Sequence, residues 1–290
     1  MAHLAAKLLT YLAEGLAPVR PVRIADVGAN PIEAPPYGAL AAAGLAEVWG
    51  FEPNDAARAK LEASKPDWLH VLGQAVGRPG RAVFNAYPAS EMSSIFKLSR
   101  QSIGYLGHFR RHLGTETEVP VDLVGLDQLD DMPPLDLLKV DAQGAEVQVL
   151  QSGRGKLSKA VAVIAEMRFY RLYDGEPDLH ELDAELRQQG FVLHKFIHQK
   201  SRMLHNSQSE RLNRRAIGSQ LIDGDAVYIR SLEDRMQWSD EQIAHLAFLA
   251  AGVFESHDLA LLCLDELSDR NAVAPLAAGY VNHLPKELRA

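Results

Sequence analysis

The 290-residue chain has a single cysteine, Cys263. No intrachain disulfide can form, and a reducing compartment is expected. Cys263 lies in the apolar run Leu261-Leu262-Cys263-Leu264, where a small buried hydrophobe is a far commoner role than a nucleophile. An excess of basic charge is missing as well. The formal net charge is −8 and the pI is near 5.8, which disfavours generic nucleic-acid binding. Long apolar runs are absent: residues 243–253, the longest apolar-rich stretch, are too short to span a bilayer and contain His245. Residues 1–16 have no signal-peptide h-region or cleavage site. A soluble, cytoplasmic protein without a transmembrane segment follows as the expectation. No P-loop, nucleophilic triad or cysteine cluster is present.

What is there is ordinary globular composition, 47% hydrophobic and 23% charged, which argues against a disordered chain. Leu4, Leu8, Leu12 and Leu16 recur at helical spacing before Pro18 and Pro21, predicting an amphipathic opening helix. Apolar runs predict strands at 22–27, 48–51, 68–72, 135–140, 161–165, 191–197 and 226–229, separated mostly by helices. Alternating stretches at 81–87 and 118–124 read as added strands around an insertion at 89–115. Helical patterns over 243–250 and 259–267, joined by Ser256-His257-Asp258, predict an αα-hairpin. The expected architecture is α/β: a Rossmann-like, doubly wound, seven-stranded mixed sheet with an N-terminal helix and a C-terminal αα-hairpin. Residues 1–231 are expected to form the main domain and 232–290 a helical extension. That hairpin is expected to cap a sheet edge or to make a protein or dimer contact through 239–268.

Ligands of such sheets bind at the carboxyl ends of the strands. Polar landmarks fall at those ends: Asp26-Val27-Gly28-Ala29-Asn30, Glu52, Gln74, Asp141 and Glu166. A strand, a tight turn with exposed amides, a helix and a strand ending in an acid form a recipe for holding a nucleoside.

Three segments occur in order: Asp26-Val27-Gly28-Ala29-Asn30, Phe51-Glu52-Pro53, and Lys139-Val140-Asp141-Ala142-Gln143-Gly144-Ala145-Glu146 followed by Val149-Leu150. With the later Ile164-Ala165-Glu166, this set resembles the FkbM-type methyltransferases, over residues 22–230. The resemblance implies a class I methyltransferase fold and S-adenosyl-L-methionine (AdoMet) as cofactor. It implies that Gly28, Ala29 and Asn30 meet the methionine end, with Asp26 in the same turn. Glu52 would accept the ribose hydroxyls, Gln74 would read the adenine edge, and Asp141 would sit nearest the methyl. The family usually has Gly shortly after the Asn; here Pro31 follows Asn30 and removes an amide donor.

The implied reaction is O-methylation of a hydroxyl on a sugar, glycan or related metabolite. Asp141 is the first candidate for general base, with His108 and His112 of the insertion behind it. Ser93, Ser94 and Arg168 are candidates for acceptor binding. Arg168 belongs to a basic group with Arg100, Arg110, Arg111 and Arg171 that could meet an anionic acceptor. No metal is expected; Asp141 and Glu166 form a weak alternative site for a divalent cation. Two other readings stand beside this one. A non-catalytic relative could engage a protein partner through its helical tail. A dinucleotide oxidoreductase would share the strand–turn–helix–strand–acid pattern, but the third Gly of its fingerprint is missing.

Overall fold

The structure is a computed structural model and describes residues 2–28, 34–107 and 109–290. In chain order it contains α1 (Ala2–Leu16), β1 (Val22–Val27), α2 (Gly38–Ala42), β2 (Ala46–Phe51), α3 (Asp55–Ser64), β3 (Leu69–Leu72), β4 (Ala75–Val76) and β5 (Gly80–Ala86). Then come α4 (Arg100–Ile103), β6 (Thr117–Val124), β7 (Leu137–Val140), α5 (Glu146–Ser152), β8 (Ala162–Arg168), α6 (Leu179–Gln188), β9 (Phe191–Arg202) and β10 (Gln220–Arg230). Three helices close the chain: α7 (Asp240–Gly252), α8 (His257–Asp269) and α9 (Ala277–His283).

The main sheet has seven strands in the order β3-β2-β1-β7-β8-β10-β9. Strands β3, β2, β1, β7 and β8 pair in parallel, and β10 runs antiparallel to both β8 and β9. Strand order therefore reverses between β1 and β7, which leaves a crevice at their carboxyl ends. A second, three-stranded sheet in the order β4-β6-β5 carries the insertion.

Side chains alternate between two cores because the strand period is two. Val22 and Ile24 of β1 and Leu137 of β7 enter one core; Ala25, Val27, Leu138 and Val140 enter the other. The second core is completed by Val149 and Leu150 of α5 and Leu182 and Leu186 of α6. The first is completed by Leu8, Leu9 and Leu12 of α1 and by nearly the whole of α7. The opening helix forms as its leucine spacing predicts. The tail sits differently from the expectation: it covers a sheet face instead of capping an edge. Leu246, Phe248 and Leu249 are enclosed there, and each contributes roughly 1.5–3 kcal/mol by leaving water. The α7 half of 239–268 is thus covered by the chain itself, and a third helix, α9, follows the predicted pair.

A buried charge cluster pins this layer at the amino ends of the strands. Asp136 accepts from both terminal nitrogens of Arg20 (2.5 and 3.1 Å) and from the Arg23 amide, and His245 Nδ1 of α7 lies 3.2 Å away. Burial pushes the Asp136 carboxyl up, but His245 and Arg20 outweigh it and hold the group below the ordinary carboxylate range.

The insertion builds a third core. Met92, Leu98, Ile103, Leu106 and Phe109 gather with Leu172, Tyr173 and Ile222. This places the insertion over the carboxyl ends of the central strands. Among the described residues no helix is long and apolar enough to cross a membrane.

Candidate active site at the carboxyl ends of the central strands

β1 leaves the sheet through Gly28, whose φ of +91° lies in the left-handed region. A Cβ there would lie 2.0 Å from the Asp141 carbonyl oxygen, so only glycine fits. The Asp141 amide donates to Val27 O at 2.9 Å. The exits of β1 and β7 are therefore in backbone contact, at the point where strand order reverses.

Asp26 stands behind that turn, 3% exposed. Its carboxylate accepts from the Tyr37 hydroxyl at 2.6 Å and from Lys139 Nζ at 3.1 Å. Burial pushes the Tyr37 hydroxyl well above its ordinary range, with Asp26 adding to the effect. Burial pulls the Lys139 ammonium down, but Asp26 and Asp141 more than offset it, so the group is raised and stays charged. Both Asp26 oxygens are thus committed inside the protein. Its place is to hold the residues around the turn rather than to face a ligand, a correction to the sequence expectation. Ala29, Asn30 and Pro31 lie outside the described residues.

Glu52 follows β2 and is half-buried. Its Oε1 accepts from the Asn54 amide at 2.8 Å, and Asn54 also caps α3 through Ala57 N. The helix cap thereby orients the acid. Gln74, just beyond β3, is exposed.

The loop from β7 to α5 is the most densely bonded part of the site. Gln143 (φ +48°) and Gly144 (φ +99°) make a left-handed turn. Gln143 Nε2 donates to Asp141 Oδ1 at 2.7 Å and to Glu166 Oε2 at 3.1 Å, bridging the two acids. Glu146, at the start of α5, curls back to accept from the Ala142 amide at 2.8 Å and from the Gly144 amide. Carboxylate oxygens of Asp141, Glu146 and Glu166 lie within 4.8 Å of one another. The Gln143 amide occupies the bridge between Asp141 and Glu166, the pair considered for a cation. Burial pushes Glu146 up to about 7, with Arg168 and the backbone amides opposing and Asp141 reinforcing. Burial and then Asp141 push Glu166 well above its ordinary range, against Arg168.

Glu166 is not at a strand end, as the sequence suggested; β8 continues to Arg168. Arg168 is buried and meets three carboxylates: Glu166 Oε2 at 2.8 Å, Asp223 Oδ2 at 3.0 Å and Glu176 Oε2 at 3.4 Å. Both terminal nitrogens of its buried guanidinium are bonded to carboxylates within the protein, which corrects its assignment to acceptor binding. Glu176 in turn accepts from the Leu172 and Tyr173 amides.

Ser93 and Ser94 are likewise spent on the fold. Ser93 Oγ accepts from the Tyr87 amide at 3.0 Å. Ser94 Oγ donates to Gln143 O at 2.6 Å and accepts from the Phe96 amide. The Tyr173 hydroxyl lies within hydrogen-bond distance of Met92 O (3.0 Å) and Gln143 Oε1 (3.2 Å). The insertion is thus latched onto the loop that carries the acids. His112 is buried in the insertion, where its Nε2 accepts from Arg111 Nε at 3.1 Å. Burial and then Arg111 lower its pKa. Among the described residues no contact joins it to Asp141 or Glu166. His108 lies outside the described residues.

Gln143 and Glu146 stood inside the quoted motif but were not picked out by sequence reasoning. Tyr37, Tyr173, Glu176 and Asp223 carried no local signal, because long-range folding alone brings them here.

A parallel sheet of this strand order, with one reversed strand beside the edge and polar residues at its carboxyl ends, defines the class I methyltransferase architecture. Residues 26–193 match the Methyltransferase FkbM domain, and the chain belongs to that family. No curated protein matches the sequence. Similar solved structures include the methyltransferase FkbM from Methylobacillus flagellatus KT, at 14% identity and TM-score 0.38, over 72% of this chain and 43% of that one. This chain therefore spans less than half of that protein. Another is the magnesium protoporphyrin IX methyltransferase from Synechocystis with bound SAM, at 14% identity and TM-score 0.37, over 79% and 80%. A third is a TehB-like SAM-dependent methyltransferase from Corynebacterium glutamicum, at 10% identity and TM-score 0.35, over 79% and 88%.

Proposed function

We propose that the protein is an O-methyltransferase that transfers a methyl group from AdoMet to a hydroxyl of a sugar, glycan or related metabolite. The observation that carries this reading is the ring of Asp141, Gln143, Glu146 and Glu166 beside the Gly28 turn. It stands in the crevice where strand order reverses and is roofed by the insertion.

The residues present suit the cofactor chemically. Glu52, oriented by Asn54, offers a carboxylate to vicinal hydroxyls. Gln74 offers an amide to a base edge. The acidic ring suits a sulfonium, since clustered carboxylates favour a nearby cation.

AdoMet supplies an already activated methyl group, so alignment, water exclusion and proton removal are left to the chain. Gly28 and Asp141 would set the approach of the two reactants through their locked backbones. Asp141 would take the acceptor's proton, because a protonated hydroxyl is a poor nucleophile. Gln143 holds Asp141 Oδ1 and so fixes the carboxylate's direction. Burial, reinforced by Asp141, makes Glu166 hold its proton more tightly than an ordinary carboxyl. The latched insertion would exclude water. Ser94 and Arg168 act here as positioning residues.

The test is turnover on a panel of hydroxylated sugars with labelled AdoMet. Asp141→Asn is expected to keep cofactor binding and to lose about 10²–10⁴-fold in kcat. Unchanged turnover removes Asp141 from the role of base. Methylation of amine or carbon acceptors alone overturns the hydroxyl reading.

A further inference from the structure

The loop of residues 203–219 joins β9 to β10 beyond the carboxyl edge of the sheet. It leans on the insertion: the His205 amide donates to Tyr105 O at 2.8 Å, and the His205 ring closes on Gly107. Together the two segments present one surface whose charge opposes that of the whole chain. Residues 100–115 and 203–219 contain six arginines, with Glu210 as the one acid, in a protein of net charge −8. The arginines are Arg100, Arg110, Arg111, Arg211, Arg214 and Arg215, all exposed. Arg110, Arg111 and Arg211 bond to neutral groups: Gly104 O, His112 Nε2 and Gln208 Oε1. Among the described residues, none of the six forms an ion pair with a carboxylate.

The same two segments also expose large apolar side chains. Leu204 and Ile217 are each 44% exposed, Leu212 is 38% exposed and Tyr105 is 64% exposed. A soluble anionic ligand would use the arginines and leave leucine and isoleucine in water. A bilayer surface with anionic headgroups takes both, the charges in the headgroup layer and the apolar side chains at its inner boundary.

We propose that the face formed by residues 100–107, 109–115 and 203–219 docks the protein peripherally on an anionic lipid surface. The inference does not rest on the methyltransferase reading: it uses none of the residues that would hold the cofactor, and it gives Arg100, Arg110 and Arg111, first considered for an anionic acceptor, to the lipid surface instead.

The experiment is sedimentation of the full-length chain with vesicles of phosphatidylcholine alone and of phosphatidylcholine with about 30% phosphatidylglycerol, at low and high salt. Binding is expected on the anionic vesicles only, weakening as salt screens the charges. Arg211→Gln, Arg214→Gln and Arg215→Gln combined should lower partitioning by on the order of a hundredfold. Leu212→Ser with Ile217→Ser should weaken it at unchanged charge. These positions are exposed, so thermal melting by circular dichroism should match the wild type. No binding to either vesicle, or equal binding to both, overturns the proposal. So does capture of inorganic polyphosphate that is indifferent to Leu212→Ser and Ile217→Ser, since that assigns the face to a soluble polyanion.

Discussion

Gly28 and Asp141 meet backbone to backbone: a Cβ on Gly28 would stand 2.0 Å from the Asp141 carbonyl oxygen. This contact couples the turn after β1 to the loop after β7. Gly28→Ala must either break it or force alanine to hold a φ of +91°. The expected cost is about 1–3 kcal/mol from the backbone conformation alone, and more from the collision. A lower Tm and at least a tenfold weaker AdoMet affinity, read by calorimetry, check this.

Arg168 separates a structural role from a ligand-binding one. It is buried against Glu166, Asp223 and Glu176. Removing one partner of a buried ion group leaves uncompensated charge, so Arg168→Met should cost about 3–5 kcal/mol in urea unfolding. An acceptor-binding arginine would leave stability unchanged.

Ser94→Ala should unlatch the insertion. Ser94 is buried and its bond to Gln143 O is partly so, which sets the expected cost at about 1–3 kcal/mol. Hydrogen exchange should quicken across residues 89–115 before it does so in the main sheet. Uniform protection there would argue against a latch.

Glu146 gives stability a pH dependence. Its folded pKa, about 7, stands above its ordinary value because burial disfavours the charged form. Between those two values the folded state binds more protons than the unfolded state. Its contribution is therefore fully present at low pH and lost as pH rises toward and through 7. The unfolding free energy of the wild type should fall over that window by up to about 3 kcal/mol, and Tm with it. Glu146→Gln should flatten this part of the profile; an unchanged slope would assign it to another group.

Much of the fold was legible because local signals agree with the global architecture. Val22–Val27 was read at its full length, and Gly44 and Gly190 both follow helices and hold positive φ. Strands β9 and β10 are longer than the sequence suggests, because their outer ends carry polar residues whose strand partners lie elsewhere in the chain. The placement of α7 could not be read: beyond its first turn and apart from His245 it is apolar on every side, so its pattern does not say what it covers. At the site, Asp141 and Glu166 were visible as acids following apolar runs. The true condition of Arg168, Ser93 and Ser94 was hidden, because a polar side chain looks the same in sequence whether it meets a ligand or a buried partner. Only the fold brings Asp223 and Glu176 to Arg168, or Gln143 to Ser94.

The most direct measurement of the central claim is calorimetric titration of AdoMet into the wild type and Glu52→Ala. Binding to the wild type, with at least a tenfold loss in Glu52→Ala, is the predicted result, since the lost carboxylate leaves the ribose hydroxyls unpaired. Absence of AdoMet binding to the wild type, or equal affinity in Glu52→Ala, would contradict the placement of the cofactor at the ends of β1 and β2.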